Sequence, residues 1–149
     1  MNTLVLGIGN PILADDSVGI KIAQQLEERY PDLTVEHTDE AAIAMLDLVM
    51  DYDRVIIIDS IKTGQGKPGD MYKLALEDFE PNMDYISLHG IDIATAFEVG
   101  RSLGCNMPKT VSIYAIEVKD NSNFNEQCSP EVAARIPFMV RQIIDEEKL

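Results

Sequence analysis

Asp15 and Asp16 follow a glycine-rich turn, Gly7-Ile8-Gly9-Asn10-Pro11, and stand just ahead of a helical pattern that begins at Ser17. Asp59 directly follows the apolar run Arg54–Ile58, and His89 lies in Ser87-Leu88-His89-Gly90-Ile91-Asp92. An acid at the carboxyl end of an apolar strand points into a crevice, where desolvation is costly unless a cation or hydrogen-bond donors satisfy it. Two carboxylates and one imidazole reaching a common crevice make a ligand set for a divalent first-row metal. Imidazole suits nickel, zinc and iron, and carboxylate oxygens complete a mixed set that leaves positions open. Without a thiolate, such a set predicts moderate affinity and an exchangeable metal. It suits a metal already carried by another molecule.

Each of these residues also admits a local role. Asp15 and Asp16 can cap the helix and favour its dipole, at about 0.3–1 kcal/mol each, although one acid suffices for a cap. Asp59 can cap the next turn through backbone N–H groups. A lone histidine such as His89 is commonly a surface or satisfied core residue, and His37, past the second strand, carries no companion motif.

The elements that must position these groups alternate in type. Thr3–Leu6 is a short apolar strand closed by the glycine turn. Val18, Ile20, Ile22, Ala23 and Leu26 recur at helical spacing until Pro31 stops the helix beyond Tyr30. Leu33–Glu36 reads as a second strand and Ala41–Met50 as a second helix. The β-branched run ending at Ile58 reads as a strand covered on both faces, hence central. A loop containing Gly64, Gly66, Pro68 and Gly69 leads to the alternating segment Asp70–Ala75; it is too short for a parallel crossover, so this strand is expected antiparallel at an edge. His89–Leu103 reads as a helix, Thr110–Ile116 as the last strand and Pro130–Leu149 as a closing helix. The expected fold is α/β in three layers: a twisted, mostly parallel five-stranded sheet with one antiparallel edge strand and helices on both faces, in a single domain over 1–149. Ligands of such sheets bind beyond the carboxyl ends of the strands, at a topological switch point.

Length and charge bound the partners. The chain has 149 residues, 12 Lys+Arg against 26 Asp+Glu, a formal net charge of −14, 46% hydrophobic and 26% charged residues. That composition is globular. A chain this acidic, with no basic run, is not built to neutralise phosphates, so neither nucleic acid nor an anionic membrane is an expected partner. No stretch reaches the roughly 18 apolar residues of a membrane span, and the first basic residue is Lys21, too late for a signal peptide's charged start. The expected compartment is the cytoplasm. Cys105 and Cys128 form neither a CxxC motif nor a disulfide framework and read as reduced thiols.

Other chemistries fit less well. There is no GxSxG elbow and no HExxH, and neither cysteine lies in a nucleophile motif. Gly7-x-Gly9 could open a dinucleotide fingerprint with Glu36 on the ribose, but Ile12 replaces the third glycine and two acids stand where a pyrophosphate would sit. A phosphoacceptor receiver domain also has an acid pair, a strand-ending Asp and a late Lys, mimicked here by Asp15, Asp16, Asp59 and Lys119. In a receiver, however, the acids follow strand one directly, whereas residues 7–14 separate them here.

Taken as wholes, LVLGIGNPILADDSVG, VIIIDSI with the later Gly66-Lys67-Pro68-Gly69 loop, and SLHGIDI give a chain that resembles the nickel-iron hydrogenase maturation endopeptidases. The resemblance runs over most of the sequence; its first motif is specific as a whole, and the others gain weight from their order. It implies an α/β fold, aspartyl-type endopeptidase activity, and a single cut that removes the C-terminal extension of a [NiFe]-hydrogenase large-subunit precursor after nickel insertion. It implies that Asp16, Asp59 and His89 contact the metal, which the precursor supplies, with no organic cofactor. Nickel is then expected to position the scissile peptide and to act as a Lewis acid, with a free carboxylate such as Asp15 as base. Many members carry a Gly-Gly-Thr-like turn after strand two, thought to help recognise the substrate. Here the turn reads Thr38-Asp39-Glu40-Ala41, a departure that bears on which hydrogenase is processed.

Overall fold

A computed structural model describes residues 2–40, 43–79 and 88–149, with side chains for 2–40, 43–78 and 92–149. Five strands, β1 (Thr3–Ile8), β2 (Thr34–Thr38), β3 (Arg54–Ile61), β4 (Met71–Leu74) and β5 (Thr110–Glu117), form one sheet in the order β2-β1-β3-β5-β4. All neighbours run parallel except β4, which pairs antiparallel with β5 at the edge. The chain leaves β1 toward one side of the sheet and later returns through β3 on the other. The β1/β3 boundary is therefore the switch point.

Among the described residues, four helices cover the two faces. Against one face pack α1 (Val18–Arg29) and α4 (Pro130–Glu147), with Val18, Ile22, Leu26, Val132, Ile136 and Val140 meeting Val5, Ile56, Ile58 and Tyr114. Against the other lie α2 (Leu46–Val49) and α3 (Leu88–Ser102), with Leu46, Val49, Ile93 and Phe97 meeting Leu4, Leu6, Val55 and Ile57. Strand residues alternate strictly between these two cores, as the period of a pleated strand requires. No described helix is long and apolar enough to cross a membrane.

The close seat of α1 explains the glycine spacing. A Cβ on Gly7 would stand 2.8 Å from the Gly19 carbonyl oxygen; one on Gly19 would stand 2.9 Å from the Ile8 carbonyl oxygen and overlap that of Ile58. Only a bare backbone at both positions lets the helix touch β1 and β3, and this contact sets the height of the loop between them.

Two elements differ from their sequence reading. Strand β3 continues past Ile58, because its parallel ladder with β5 extends through Asp59↔Ala115 to Ile61↔Glu117. Asp59 is thus a strand residue rather than the start of a turn. The expected helix over Ala41–Met50 is shorter: a 3-10 turn at Ile43–Met45 precedes α2, and Asp51, at φ 70, ends it while giving its N–H to Asn106. Residues 41 and 42 lie outside those described.

Candidate functional site

Alternation along β3 decides where its polar end points. Ile56 and Ile58 belong to the α1/α4 core, Val55 and Ile57 to the α2/α3 core. Continuing that alternation puts Asp59 on the α3 side and Ser60 on the α1 side. Both are buried at the carboxyl end of the sheet.

Asp16 reaches the same place from the α1 side. It sits in a 3-10 turn, Ala14–Ser17, entered through Ala14 at φ 49, a left-handed conformation that costs a residue with a Cβ about 1–2 kcal/mol. Asp16 Oδ2 accepts the Asn10 N–H at 2.8 Å and Oδ1 accepts the Ser60 hydroxyl at 2.7 Å. Ser60 also gives its backbone N–H to Asp59 Oδ1 at 2.7 Å. One residue of β3 therefore joins two carboxylates that arrive on opposite faces of the sheet. Among the described residues each oxygen of Asp16 accepts a single hydrogen bond, and a carboxylate oxygen has lone-pair capacity for a second partner. Hard oxygen donors of this kind suit a divalent cation.

Residue 89 lies in the first turn of α3, the helix on the Asp59 side, while the His89 side chain is outside those described. Among the described residues, no three His, Cys, Asp or Glu side chains gather closely enough to hold a metal ion. The described part of the expected set is thus the Asp16–Asp59 pair.

Asp15, beside Asp16 in sequence, has a different task. It is completely buried. Its Oδ2 accepts the N–H groups of Lys119 and Asp120 at 3.0 Å and the Ser129 hydroxyl at 2.8 Å; Oδ1 accepts the Ser129 N–H at 2.6 Å. Its own N–H goes to the Asp120 carbonyl, Ala14 N–H to the Asn125 carbonyl, and Asn125 N–H to the Ile12 carbonyl. The carboxylate pins the Ala14–Ser17 turn to the segment between β5 and α4. It is not the free base that the sequence suggested. Neither acid caps α1: no side-chain capping bond forms at Ser17.

A buried acid of the same kind was missed in the sequence. Glu117, the last residue of β5, accepts the Thr63 N–H at 2.8 Å, the Gly66 N–H at 3.3 Å, the Tyr72 hydroxyl at 3.1 Å and, in a short bond, the Thr63 hydroxyl. It holds the loop that follows β3. The signal was available, since Glu117 ends an apolar strand as Asp59 nearly ends another. Burial, and then Glu117, raise the Tyr72 phenol above its usual range.

The remaining reactive groups are quiet. Cys128 lies 3.6 Å from the Ser17 hydroxyl, and burial pushes its thiol up, away from a thiolate nucleophile. Lys119 pairs with Glu131 at 3.0 Å and Asp15 is sealed, so the groups a receiver domain would use do not converge. At the end of β2, the Thr38 carbonyl accepts the Gly9 N–H at 3.0 Å, which brings the departing turn beside the glycine loop.

A model of a family described as hydrogenase maturation protease matches residues 20–146. The hydrogenase 2 maturation protease of Escherichia coli K12 is 30% identical over 149 residues, spanning 97% of this chain and 89% of that protein. The hydrogenase expression/formation protein HupD of Bradyrhizobium diazoefficiens is 27% identical over 139 residues, spanning 89% of this chain and 71% of its own. Among solved structures, the hydrogenase maturating endopeptidase HybD from E. coli superposes with a TM-score of 0.80 at 29% identity, covering 99% of this chain and 93% of that one. The [NiFe] hydrogenase maturation protease HybD from Thermococcus kodakarensis shares the fold, with a TM-score of 0.74 at 21% identity over 97% of this chain and 98% of its own.

Proposed function

The chain belongs to the hydrogenase maturation protease family, and from that premise we propose that it removes the C-terminal extension of a nickel-loaded [NiFe]-hydrogenase large-subunit precursor, gripping the nickel with Asp16, Asp59 and His89. The family makes it a hydrolase acting on peptide bonds. The observation that carries the finer reading is the Asp16–Ser60–Asp59 link at the β1/β3 switch point: two carboxylates, from separate elements, each hydrogen-bonded to the same serine before any substrate arrives.

Nickel enters this reading as part of the substrate. Only a loaded precursor offers the cation that the carboxylates are arranged to meet, so the extension is presented to the protease after metal insertion. Holding the peptide in place removes most of the entropic cost of bringing reactants together. A divalent cation beside the scissile bond polarises its carbonyl or a water. The burial and hydrogen bonding of Asp15 leave the proton from that water to an oxygen of Asp16 or Asp59 that is not engaged by metal.

The test is mass spectrometry of candidate precursors incubated with the protein. Loss of a short C-terminal peptide from nickel-loaded precursor alone is expected, with at least a hundredfold slower cutting by Asp16→Asn, Asp59→Asn and His89→Ala. Equal cutting of nickel-free precursor, or native rates in these variants, would refute the reading.

A further inference from the structure

We propose that Ser60 is a positioning residue that sets the two carboxylates for the metal. This inference rests on the reading just given. Asp16 belongs to a loop on the α1 side and Asp59 to the α3 side of β3, so no common element fixes their relative placement. Ser60 touches both, through its hydroxyl to Asp16 at 2.7 Å and its backbone N–H to Asp59 at 2.7 Å. It is itself only 7% exposed.

The chemistry requires such a group. Two carboxylates that are to meet one cation repel each other until it arrives, and their side chains have rotamers that point them apart. A hydroxyl carries one hydrogen, and here that hydrogen goes to Asp16 Oδ1. With Asn10 N–H on the other oxygen, Asp16 is held in one rotamer while an unused lone-pair direction on each oxygen can meet a cation. The backbone N–H to Asp59 survives any substitution at 60 except proline. The hydroxyl does not. Partners that orient a metal-binding side chain typically change metal affinity or activity by about 10–100-fold when removed.

The experiment measures binding of nickel ion alone to the isolated protein by calorimetry, together with KM and kcat on nickel-loaded precursor. Ser60→Ala is expected to weaken nickel binding about 10–100-fold and to raise KM more than it lowers kcat, with native circular dichroism. Ser60→Thr keeps the hydroxyl on a side chain suited to a strand and is expected to restore binding to within about threefold of the parent. If Ser60→Ala binds nickel as the parent does while Asp16→Asn does not, the inference fails and the functional reading stands. If Ser60→Ala abolishes cleavage with undiminished nickel binding, the hydroxyl is a nucleophile and the inference is again overturned. If Asp16→Asn and Asp59→Asn both bind nickel normally, the functional reading fails and takes this inference with it.

Discussion

Asp15 and Ser129 are joined twice across 114 positions of sequence, the Ser129 N–H to Oδ1 at 2.6 Å and its hydroxyl to Oδ2 at 2.8 Å. Adjacent acids thereby divide into a buried fastener, Asp15, and an acid that faces Ser60 at the switch point, Asp16. Asp15→Ala strands several buried donors, each costing about 1–3 kcal/mol when left without a partner. We expect a loss of about 2–4 kcal/mol, a drop of roughly 5–15 °C in the melting midpoint followed by circular dichroism. Asp16→Asn keeps its shape and an acceptor and should stay within about 1 kcal/mol of the parent. Equal stability losses in the two variants would contradict the division.

Glu117 should protect the loop that it gathers. In Glu117→Ala the N–H groups of Thr63 and Gly66 and the hydroxyls of Thr63 and Tyr72 lose this carboxylate as acceptor. Stability should fall by about 2–3 kcal/mol, and trypsin should cut after the exposed Lys62 faster than in the parent. Tyr72→Phe, which removes the phenol donor to Glu117 and leaves the other three in place, should cost about 0.5–1.5 kcal/mol. Unchanged trypsin kinetics in Glu117→Ala would show that the loop is held by something else.

Gly19 and Gly104 offer a test of close approach against backbone strain. A methyl on Gly19 meets carbonyl oxygens of β1 and β3, whereas Gly104, at φ 76, has open space around it. Gly19→Ala should cost about 3 kcal/mol or more and slow precursor cleavage by moving the turn that carries Asp16. Gly104→Ala should cost about 1–2 kcal/mol and leave cleavage unchanged. Chemical denaturation with a cleavage assay on both variants measures the contrast.

Alkaline pH should unfold the protein through its tyrosines. Burial foremost, then Glu147 and Glu146, raise the Tyr114 phenol far above its ordinary range, and its hydroxyl lies 2.7 Å from Glu147 Oε2. Tyr72 is raised in the same direction. Below pH about 10 both folded and unfolded chains keep these protons, and the contribution is fully present. As pH rises beyond that, the unfolded chain ionises while the fold cannot, so stability falls. Denaturation midpoints from pH 8 to 11 should decline, and Tyr114→Phe should flatten the decline. A slope unaltered by that substitution would assign it to other groups.

Much of this architecture was legible from residue patterns. The β-branched run to Ile58 predicted a central strand, and β3 is central; the short glycine loop predicted an antiparallel edge, and β4 is one. The strand ends singled out Asp15, Asp16 and Asp59, and the family resemblance chose Asp16 over Asp15; Asp16 and Asp59 stand at the switch point. What escaped were relationships between distant residues. Nothing local tells Asp15 from Asp16: the difference arises from donors at Lys119, Asp120 and Ser129, which only the packed fold brings near. Ser60 escaped because a serine after an aspartate carries no spacing signal, and its partner lies 44 positions away on another element.

The fastening of Asp15 to Ser129 also sets an order of events during synthesis. Residues 14–16 emerge from the ribosome long before residues 119–129, and domains assemble as their parts become available. Until the segment after β5 has been translated, the Ala14 N–H lacks its Asn125 acceptor and the Asp15 carboxylate lacks its donors at Lys119, Asp120 and Ser129, so only local bonds hold the left-handed turn that carries Asp16. A fully fastened turn, and the placement of Asp16 that depends on it, therefore waits for the segment that joins β5 to α4.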